Sequence, residues 1–226
     1  TESEWEAIYQ TLLNETGIVE GLIYLEVTAG AYDGREFAGP DQFIPTVFLY
    51  ASVASFIGET AEKGIGAIFL HDTRWKRRNM KTVQLVSQAL AYRIAKQAGA
   101  GTAFLVEDDF VTEAASANIW IVDAGGNLIT RNLTEAILPG ITRSGVLQLV
   151  KENGLTVEER AFTPEETLAA REVFTTSSGR LVLPVVTLEG ESIANGQPGP
   201  ITRKIQRLYY ETIGADIPKV APWTLD

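Results

Sequence analysis

The stretch LPGITRSGVLQLVKENG, residues 138–154, joins a turn to a helix. A Pro-Gly pair favours the turn, and the following residues predict a helix from Thr142 to Asn153 that Gly154 ends. The backbone amides at the start of such a helix, together with the Thr142 hydroxyl, suit a phosphate group. Capping of the helix is the commoner use of a threonine there, so this stretch alone leaves both interpretations open.

On both sides of this stretch, short apolar runs separated by turn residues predict a mixture of strands and helices. The predicted strands cover residues 22–28, 45–50, 65–70, 103–106, 119–122, 128–130, 173–176 and 181–188. Helices are predicted between Thr1 and Gly17, from about 84 to 97, from 142 to 153, after Thr163 and from 201 to 210. We therefore expect an α+β fold whose larger part contains a curled or barrel-like sheet with flanking helices.

A change in composition near residues 51–62 indicates a boundary between two domains. The chain before it reads as a helix, a strand, a loop rich in glycine, proline and aspartate, and a second strand. We predict a small α/β domain at residues 1–52, a linker at 53–62 and a larger domain at 63–226.

Composition excludes several classes of function. The 226 residues include no cysteine, which excludes disulfide scaffolds, thiolate metal sites and a cysteine nucleophile, and the one histidine, His71, argues against a multi-histidine metal centre. The net charge of −10 opposes a general role in binding nucleic acids or anionic membranes. The acidic start of the sequence lacks the profile of a secretion signal, so we expect a cytoplasmic protein.

Lysines, carboxylates, hydroxyls and backbone amides, or a bound cofactor, must therefore carry any chemistry. Lys81 precedes an apolar helix, where loss of solvent would make its amine nucleophilic; the alternative is a solvated lysine at the end of a basic run. Glu113 lies between two predicted strands among small residues. It would pair there with a cation in a pocket or, alternatively, lie in water at the end of a hairpin.

Three further segments carry groups that bind anions. The loop with Ser177 and Ser178 would complete a phosphate site with the start of the helix at Thr142, although ordinary turn chemistry explains it equally well. The basic run at residues 74–78 is short and the surrounding chain is acidic, which favours an anion-lined pocket or a salt-bridged surface. Arg35 could form a two-pronged contact with a carboxylate, though an arginine in a loop is usually solvated.

The order and spacing of these segments resemble the class IV pyridoxal-phosphate aminotransferases, and among them most closely the D-amino-acid transaminases. The resemblance extends over nearly the whole chain. It is carried by Arg74-Trp75, Met80-Lys81-Thr82, Val111-Thr112-Glu113 with Asn118, Ile137-Leu138-Pro139-Gly140-Ile141-Thr142-Arg143, Phe174-Thr175-Thr176-Ser177-Ser178 and Pro184-Val185.

This resemblance implies a two-domain fold type IV enzyme whose larger domain binds pyridoxal 5′-phosphate. Lys81 would form the internal aldimine with the cofactor, and Glu113 would keep the pyridine nitrogen protonated so that the ring serves as an electron sink. In the same alignment Leu138 would pack against the ring face, and Arg74 would belong to the surrounding hydrogen-bond network. The phosphate would be bound by Ile141, Thr142 and Ser178.

The resemblance also assigns a substrate site. Arg35 and Ser177 would bind the substrate, with Arg35 in a trap for the carboxylate of an α-amino acid. Two positions depart from the pattern of the family, since Phe37 stands where histidine is frequent and Ala29 where an arginine is common. Family members also carry strands ahead of the position that aligns with Thr1, and we expect that the sequence omits such a front segment.

The implied activity is transfer of an amino group from a D-amino acid, such as D-alanine, to a 2-keto acid. Within the same fold a branched-chain aminotransferase, an (R)-amine transaminase and an aminodeoxychorismate lyase remain alternatives, because the fold does not choose among them. A non-catalytic module that binds a small molecule is the alternative from another class. The resemblance further implies a homodimer, with small-molecule amino donors and keto acids as its other partners.

Overall fold

The computed structural model describes residues 1–34 and 37–225. The chain separates into two compact units, Thr1–Phe56 and Ile57–Asp226. The roles predicted for the two domains stay predictions at this point. Among the described residues, no helix has the length and apolar character needed to cross a membrane. The cytoplasmic location also stays a prediction.

The first unit is one helix and a two-stranded antiparallel sheet. Helix α1 (Glu2–Thr16) ends at Gly17, whose φ of 64° suits a residue without a side chain. Strands β1 (Gly21–Thr28) and β2 (Thr46–Val53) pair along their full length, and the rings of Tyr24 and Tyr50 stack across the pair with centroids 5.1 Å apart. The helix and both strands predicted in this region are confirmed.

The second unit is built on a nine-stranded mixed sheet with helices packed against it. Its elements in chain order are α2 (Glu59–Lys63), β3 (Ile65–His71), α3 (Val86–Gln97), β4 (Thr102–Glu107), β5 (Phe110–Ala114), β6 (Asn118–Val122), β7 (Leu128–Thr130), α4 (Ile141–Glu152), β8 (Val157–Glu159), α5 (Pro164–Leu168), β9 (Glu172–Ser177), β10 (Leu181–Leu188), β11 (Glu191–Ser192), α6 (Pro200–Thr212) and α7 (Ile217–Val220), followed by a 3₁₀ turn at Pro222–Thr224. The strand order is β5-β4-β3-β10-β9-β6-β7-β8, with β11 paired to β10.

The sheet curls because its edge strand β5 leads directly into β6 near its middle. A tight turn joins the two strands, with the amide of Ala114 donating to the carbonyl of Ala117 over 2.8 Å. Strand β3 pairs in parallel with both β4 and β10, whereas β4–β5, β10–β9, β9–β6 and β6–β7 are antiparallel. The predicted α+β fold with a curled sheet is confirmed.

Alternating side chains of β6 build the core on both faces of the sheet. Ile119 and Ile121 pack on one face, and Trp120 packs on the other with residues of α4 and α6. The Trp120 ring stacks on Phe174 of the neighbouring strand at 5.6 Å between centroids. Because residues on both of their faces are buried, β6 and β9 lie at the centre of the core of the second unit.

Strand β5 was not predicted. Glu113, expected between two strands, lies within this strand, which is paired to β4. Its carboxylate has hydrogen-bond partners inside the protein, so it does not lie in water at the end of a hairpin.

Candidate active site

A cavity of about 1240 Å³ opens beside the curled sheet of the second unit. Its wall is formed by the loop after β3, the start of α3, the turn between β5 and β6, the start of α4 and the turn between β9 and β10. The residues predicted for the site that line this cavity are Arg74, Lys81, Glu113, Leu138, Ile141, Thr142, Ser177 and Ser178. Arg35 lies outside the described residues.

Glu113 is the buried carboxylate of the cavity, with 5% of its surface exposed. Its Oε2 accepts hydrogen bonds from Asn118 Nδ2 and from the amide of Leu138, both over 3.1 Å. Its Oε1 accepts a hydrogen bond from Arg74 Nη1. Burial raises the pKa of the Glu113 carboxyl above its usual value, although the charge and hydrogen bond of Arg74 act against this.

Arg74 connects Glu113 to a second buried acid, Asp72. Its Nε donates to Asp72 Oδ1 over 2.9 Å and its Nη2 to Asp72 Oδ2 over 2.7 Å, a two-pronged contact. Burial alone lowers the pKa of the Arg74 guanidinium, but Asp72 and Glu113 outweigh burial and hold this pKa above its usual value. Of the two interpretations of the basic run, an anion-lined pocket or a salt-bridged surface, Arg74 fits the first, since its ion pairs are buried in the wall of the cavity.

Lys81 lies in the loop between β3 and α3. Two backbone hydrogen bonds fix this loop, from the amide of Arg78 to the carbonyl of Glu135 over 2.9 Å and from Met80 to Arg77 over 3.1 Å. The loss of solvent expected for Lys81 is not found in the chain by itself, since Lys81 is exposed. The apolar side chains expected to bury the lysine are themselves exposed; they are Val83, Leu85 and Val86.

Helix α4 directs its amino end into the cavity. The helix begins at Ile141 with Gly140 in the capping position, and no side chain among the described residues caps this end. Thr142 is the second helical residue and is 2% exposed, so the capping interpretation of this threonine is wrong. The uncapped amides and the Ser177–Ser178 turn of the same cavity suit a phosphate group.

Gly140 is needed where it stands because the chain passes close to Asn118. A Cβ atom at position 140 would lie 2.2 Å from Asn118 Oδ1, well inside contact distance. The amide of Asn118 is held in place by hydrogen bonds to Glu113 and, over 2.9 Å, to the carbonyl of Leu138. The loop before α4 and the acid of the site thus position each other.

The residues of the cavity fit a pyridine ring that carries a phosphate and an aldehyde. Glu113 is a buried acid suited to a ring nitrogen, α4 offers an uncapped amino end, and Lys81 supplies an amine in the same wall.

Sequence reasoning did not identify Asp72. The only available signal was an Asp-x-Arg spacing at the end of a predicted strand.

The comparisons with known proteins agree with this site. The profile of the class IV amino-transferase family matches residues 1–188. A D-alanine aminotransferase of Bacillus licheniformis is 35% identical over 220 residues, covering 97% of this chain and 77% of that protein. A second D-alanine aminotransferase, from Listeria monocytogenes, is 33% identical over 216 residues, covering 94% of this chain and 74% of that protein.

Solved structures reproduce the fold. A branched-chain amino acid aminotransferase from Thermobaculum terrenum, in its PLP-form (holo-form), has a TM-score of 0.72 at 26% identity, covering 87% of this chain and 66% of that one. A putative 4-amino-4-deoxychorismate lyase from Legionella pneumophila has a TM-score of 0.83 at 22% identity, covering 93% and 77%. The match of the family profile over most of the chain, with relatives above 30% identity, shows that this chain belongs to the class IV aminotransferases.

Proposed function

We propose that the protein is a pyridoxal-phosphate-dependent transaminase that transfers an amino group from a D-amino acid, such as D-alanine, to a 2-keto acid. The observation that carries this proposal is one cavity holding an accessible lysine, a buried glutamate and an uncapped helix end. The two relatives described above are both named D-alanine aminotransferase, and this chain spans about three quarters of each.

When bound, pyridoxal 5′-phosphate supplies the electron sink for the substrate's α-carbon. Lys81 would hold the cofactor through its aldehyde, and the lysine amine would move a proton between the substrate's α-carbon and the C4′ carbon. Glu113 holds a proton at the ring nitrogen, and Leu138 packs against the ring. The remaining residues bind the phosphate through α4 and the β9–β10 turn; they are Ile141, Thr142 and Ser178.

Substrate binding and release complete the proposed cycle. The bound cofactor would carry the amino group from the donor to the acceptor, so that the donor amino acid would leave as a keto acid and the acceptor keto acid as an amino acid. Ser177 faces the same cavity, and Arg35 is proposed to bind the substrate carboxylate. The net reaction exchanges an amino group for a keto oxygen between two acids and consumes no other reactant.

Substitution of Lys81 tests the proposal. Purified protein mixed with pyridoxal 5′-phosphate should turn yellow and be bleached by D-alanine, and Lys81→Ala should abolish both changes. Lys76→Ala is the matched control, because Lys76 is another exposed lysine of the same loop but pairs with Glu107 over 2.5 Å. The assignment is wrong if Lys81→Ala keeps the absorption band and the transaminase activity.

The choice of substrate needs a separate assay. Rates with D- and L-alanine and with D- and L-leucine, measured side by side, compare the main proposal with a branched-chain aminotransferase, whose fold is closely similar. Faster turnover of L-leucine than of D-alanine would reject the D-amino-acid assignment. Formation of pyruvate from aminodeoxychorismate without an acceptor would instead indicate the lyase.

We also propose that the enzyme is a homodimer. Val86, Leu90 and Ile94 recur every four residues on α3 and are 72%, 55% and 45% exposed, while Ala91 and Ala95 face the sheet. An apolar stripe of this kind is typical of a surface covered by another protein. A second copy packed there would also remove solvent from the neighbouring Lys81, which the isolated chain leaves exposed.

A further inference from the structure

Five charged side chains of alternating sign form a series of ion pairs that starts in the wall of the cavity. The order is Glu113, Arg74, Asp72, Arg78 and Glu107, and we call this set the charge chain. Asp72 stands at its centre with a side chain that is 0% exposed, and those of Arg74 and Arg78 are 7% and 2% exposed. Water therefore screens these charges little, and each ion depends on its neighbours.

Asp72 is held by several segments of the chain at once. Besides the two contacts from Arg74 described above, its Oδ1 accepts from the Arg74 amide over 3.1 Å. Its Oδ2 accepts from Thr112 Oγ1 over 2.8 Å and lies 3.3 Å from Arg78 Nε. Its own amide donates to the carbonyl of Val106 over 2.8 Å. These contacts fix the position of the Asp72 carboxylate, so this carboxylate can orient the guanidinium of Arg74.

Arg74 pairs with two acids, and more of its donors bind Asp72 than Glu113. Asp72 takes the Nε and Nη2 donors, which leaves Nη1 for Glu113. The charge of Asp72 also acts on Glu113 itself, since it raises the pKa of the Glu113 carboxyl in the same direction as burial. With Asp72 neutral, the whole guanidinium charge would fall on Glu113.

We propose that Asp72 is a positioning residue that aims Arg74 at Glu113 and takes up much of the guanidinium charge, so that the Glu113 carboxylate stays a stronger acceptor for the N–H of a protonated ring nitrogen. The inference rests on the proposed function, in which that ring belongs to pyridoxal 5′-phosphate. It differs from a purely structural role, because a structural acid would stabilise the fold without changing how the pocket distinguishes a ring nitrogen from a ring carbon.

The test compares two ligands that differ only at this atom. Pyridoxal 5′-phosphate and its 1-deaza analogue, in which a carbon replaces the ring nitrogen, are titrated into the cofactor-free full-length protein. Quenching of the tryptophan fluorescence reports binding, since Trp75, one of four tryptophans, lines the cavity and is 42% exposed. The wild type should prefer the natural ring, and Asp72→Asn should lower this preference about tenfold, because the full charge of Arg74 then weakens the Glu113 carboxylate as an acceptor.

Two further variants make the test independent of how well Asp72→Asn folds. Arg78→Gln removes the second cation beside Asp72, which leaves more of the Asp72 charge for Arg74, so the preference should rise above the wild-type value. Glu107→Gln is the matched control: it makes the same carboxyl-to-amide change at the outer end of the charge chain and should change the preference less than about twofold.

An unchanged preference in Asp72→Asn, an unchanged or lower one in Arg78→Gln, or a loss in Glu107→Gln equal to that in Asp72→Asn overturns the role of Asp72. If the wild type does not distinguish the two ligands, the pairing of Glu113 with the ring nitrogen is wrong and the inference falls with it. The yellow adduct of Lys81 is a separate measurement and shows whether the proposed function survives.

Discussion

Glu113 illustrates what an ionisable side chain needs in order to lie inside a protein. Its carboxylate has three hydrogen-bond donors, from Arg74, Asn118 and the amide of Leu138, and these offset part of the cost of leaving water. A buried carboxylate that keeps all its donors is tolerated in the folded protein. Removing one donor leaves part of its charge without a hydrogen bond, which destabilises the fold. Substitutions around Glu113 should therefore affect both stability and ligand binding.

The close approach of Gly140 to Asn118 gives the first prediction. Gly140→Ala places a Cβ where Asn118 Oδ1 now lies, so Asn118 must move and release Glu113 or the loop before α4 must shift. We expect a loss of about 1–3 kcal/mol in the free energy of unfolding, typical of overpacking at a buried site. Urea unfolding measures it. Gly179→Ala is the control, because a Cβ there meets no atom within 4 Å; equal stability losses in both variants would contradict the steric explanation.

Glu107 gives a prediction about pH. Hydrogen bonds from Arg78 over 2.6 and 2.9 Å, which exceed the opposing effect of burial, lower the pKa of Glu107 from 4.5 to about 2. A folded-state pKa below the unfolded value means a stabilising contribution that is complete above pH 4.5 and is lost as the pH falls towards 2. Glu107→Gln should be less stable than the wild type at neutral pH and lose less stability across this window.

Urea unfolding at several pH values between 4.5 and 2 measures the slope of stability for this prediction. Glu135→Gln serves as the control, because Glu135 pairs with Arg77 at the surface, where both side chains are more than half exposed. Its slope should match that of the wild type. A Glu107→Gln slope equal to the wild-type slope would show that the pairing with Arg78 contributes nothing to acid sensitivity.

At the scale of elements, the amino end of α6 contrasts with that of α4. A buried carboxylate of β9, Glu172, accepts hydrogen bonds from the amides of Ile201 and Thr202 over 3.0 and 2.7 Å and from the Thr202 hydroxyl over 2.7 Å. The helix dipole adds to this attraction. The amino end of α6 is thus satisfied from within the protein, whereas no side chain among the described residues caps α4.

Glu172 therefore fastens α6 to the sheet. Glu172→Gln keeps the shape of the side chain but replaces a charged acceptor with an amide that carries two donors, which face the amides of α6. We expect the free energy of unfolding to fall by about 1–3 kcal/mol, as measured by urea or thermal unfolding. Glu191→Gln, an exposed glutamate on β11, should change it by less than about 0.5 kcal/mol. Similar losses in the two variants would indicate that the cap is not stabilising.

The elements that the sequence predicted well carry their signals locally. Strand β10 was predicted at 181–188 and lies at Leu181–Leu188. The helix predicted after Thr163 is present as α5, and Thr163 caps it by accepting from the amide of Glu166 over 3.2 Å. Strand β8 and helix α2 were not predicted: both are short, and α2 lacks the side-chain cap that marks α5, a helix of the same length.

The site shows the same limit. Lys81, Glu113 and Thr142 were found through the order of motifs along the chain, and the fold brings them to one cavity. Asp72 was not identified, since its contacts with Thr112 and the backbone of Val106 join segments that are far apart in sequence. These contacts form only when β3, β4 and β5 pair, so no single stretch of the sequence predicts them.

At the scale of the whole molecule, the exposed face of α3 requires an explanation. Helix α3 packs against β3 and β4 through alanines, which allow a close approach to the sheet, and its larger apolar side chains point away from the core. Leaving them in water forgoes stabilisation of roughly 25 cal/mol for each Å² of apolar surface. Another protein surface packed on this helix would bury these side chains and gain that free energy, which is the basis of the proposed homodimer.

Charge placed on this face should separate the subunits. We expect the wild type to have twice the mass of a single chain in sedimentation equilibrium, and Leu90→Glu combined with Ile94→Glu to have the mass of one chain, because carboxylates buried at an interface without partners are strongly unfavourable.

Ile213→Glu is the control: this isoleucine follows α6 and is 51% exposed, so the same change there should leave the dimer intact. Circular dichroism checks that each variant is folded. A double variant that is folded and still dimeric would locate the interface elsewhere, and a wild type with the mass of one chain would reject the dimer.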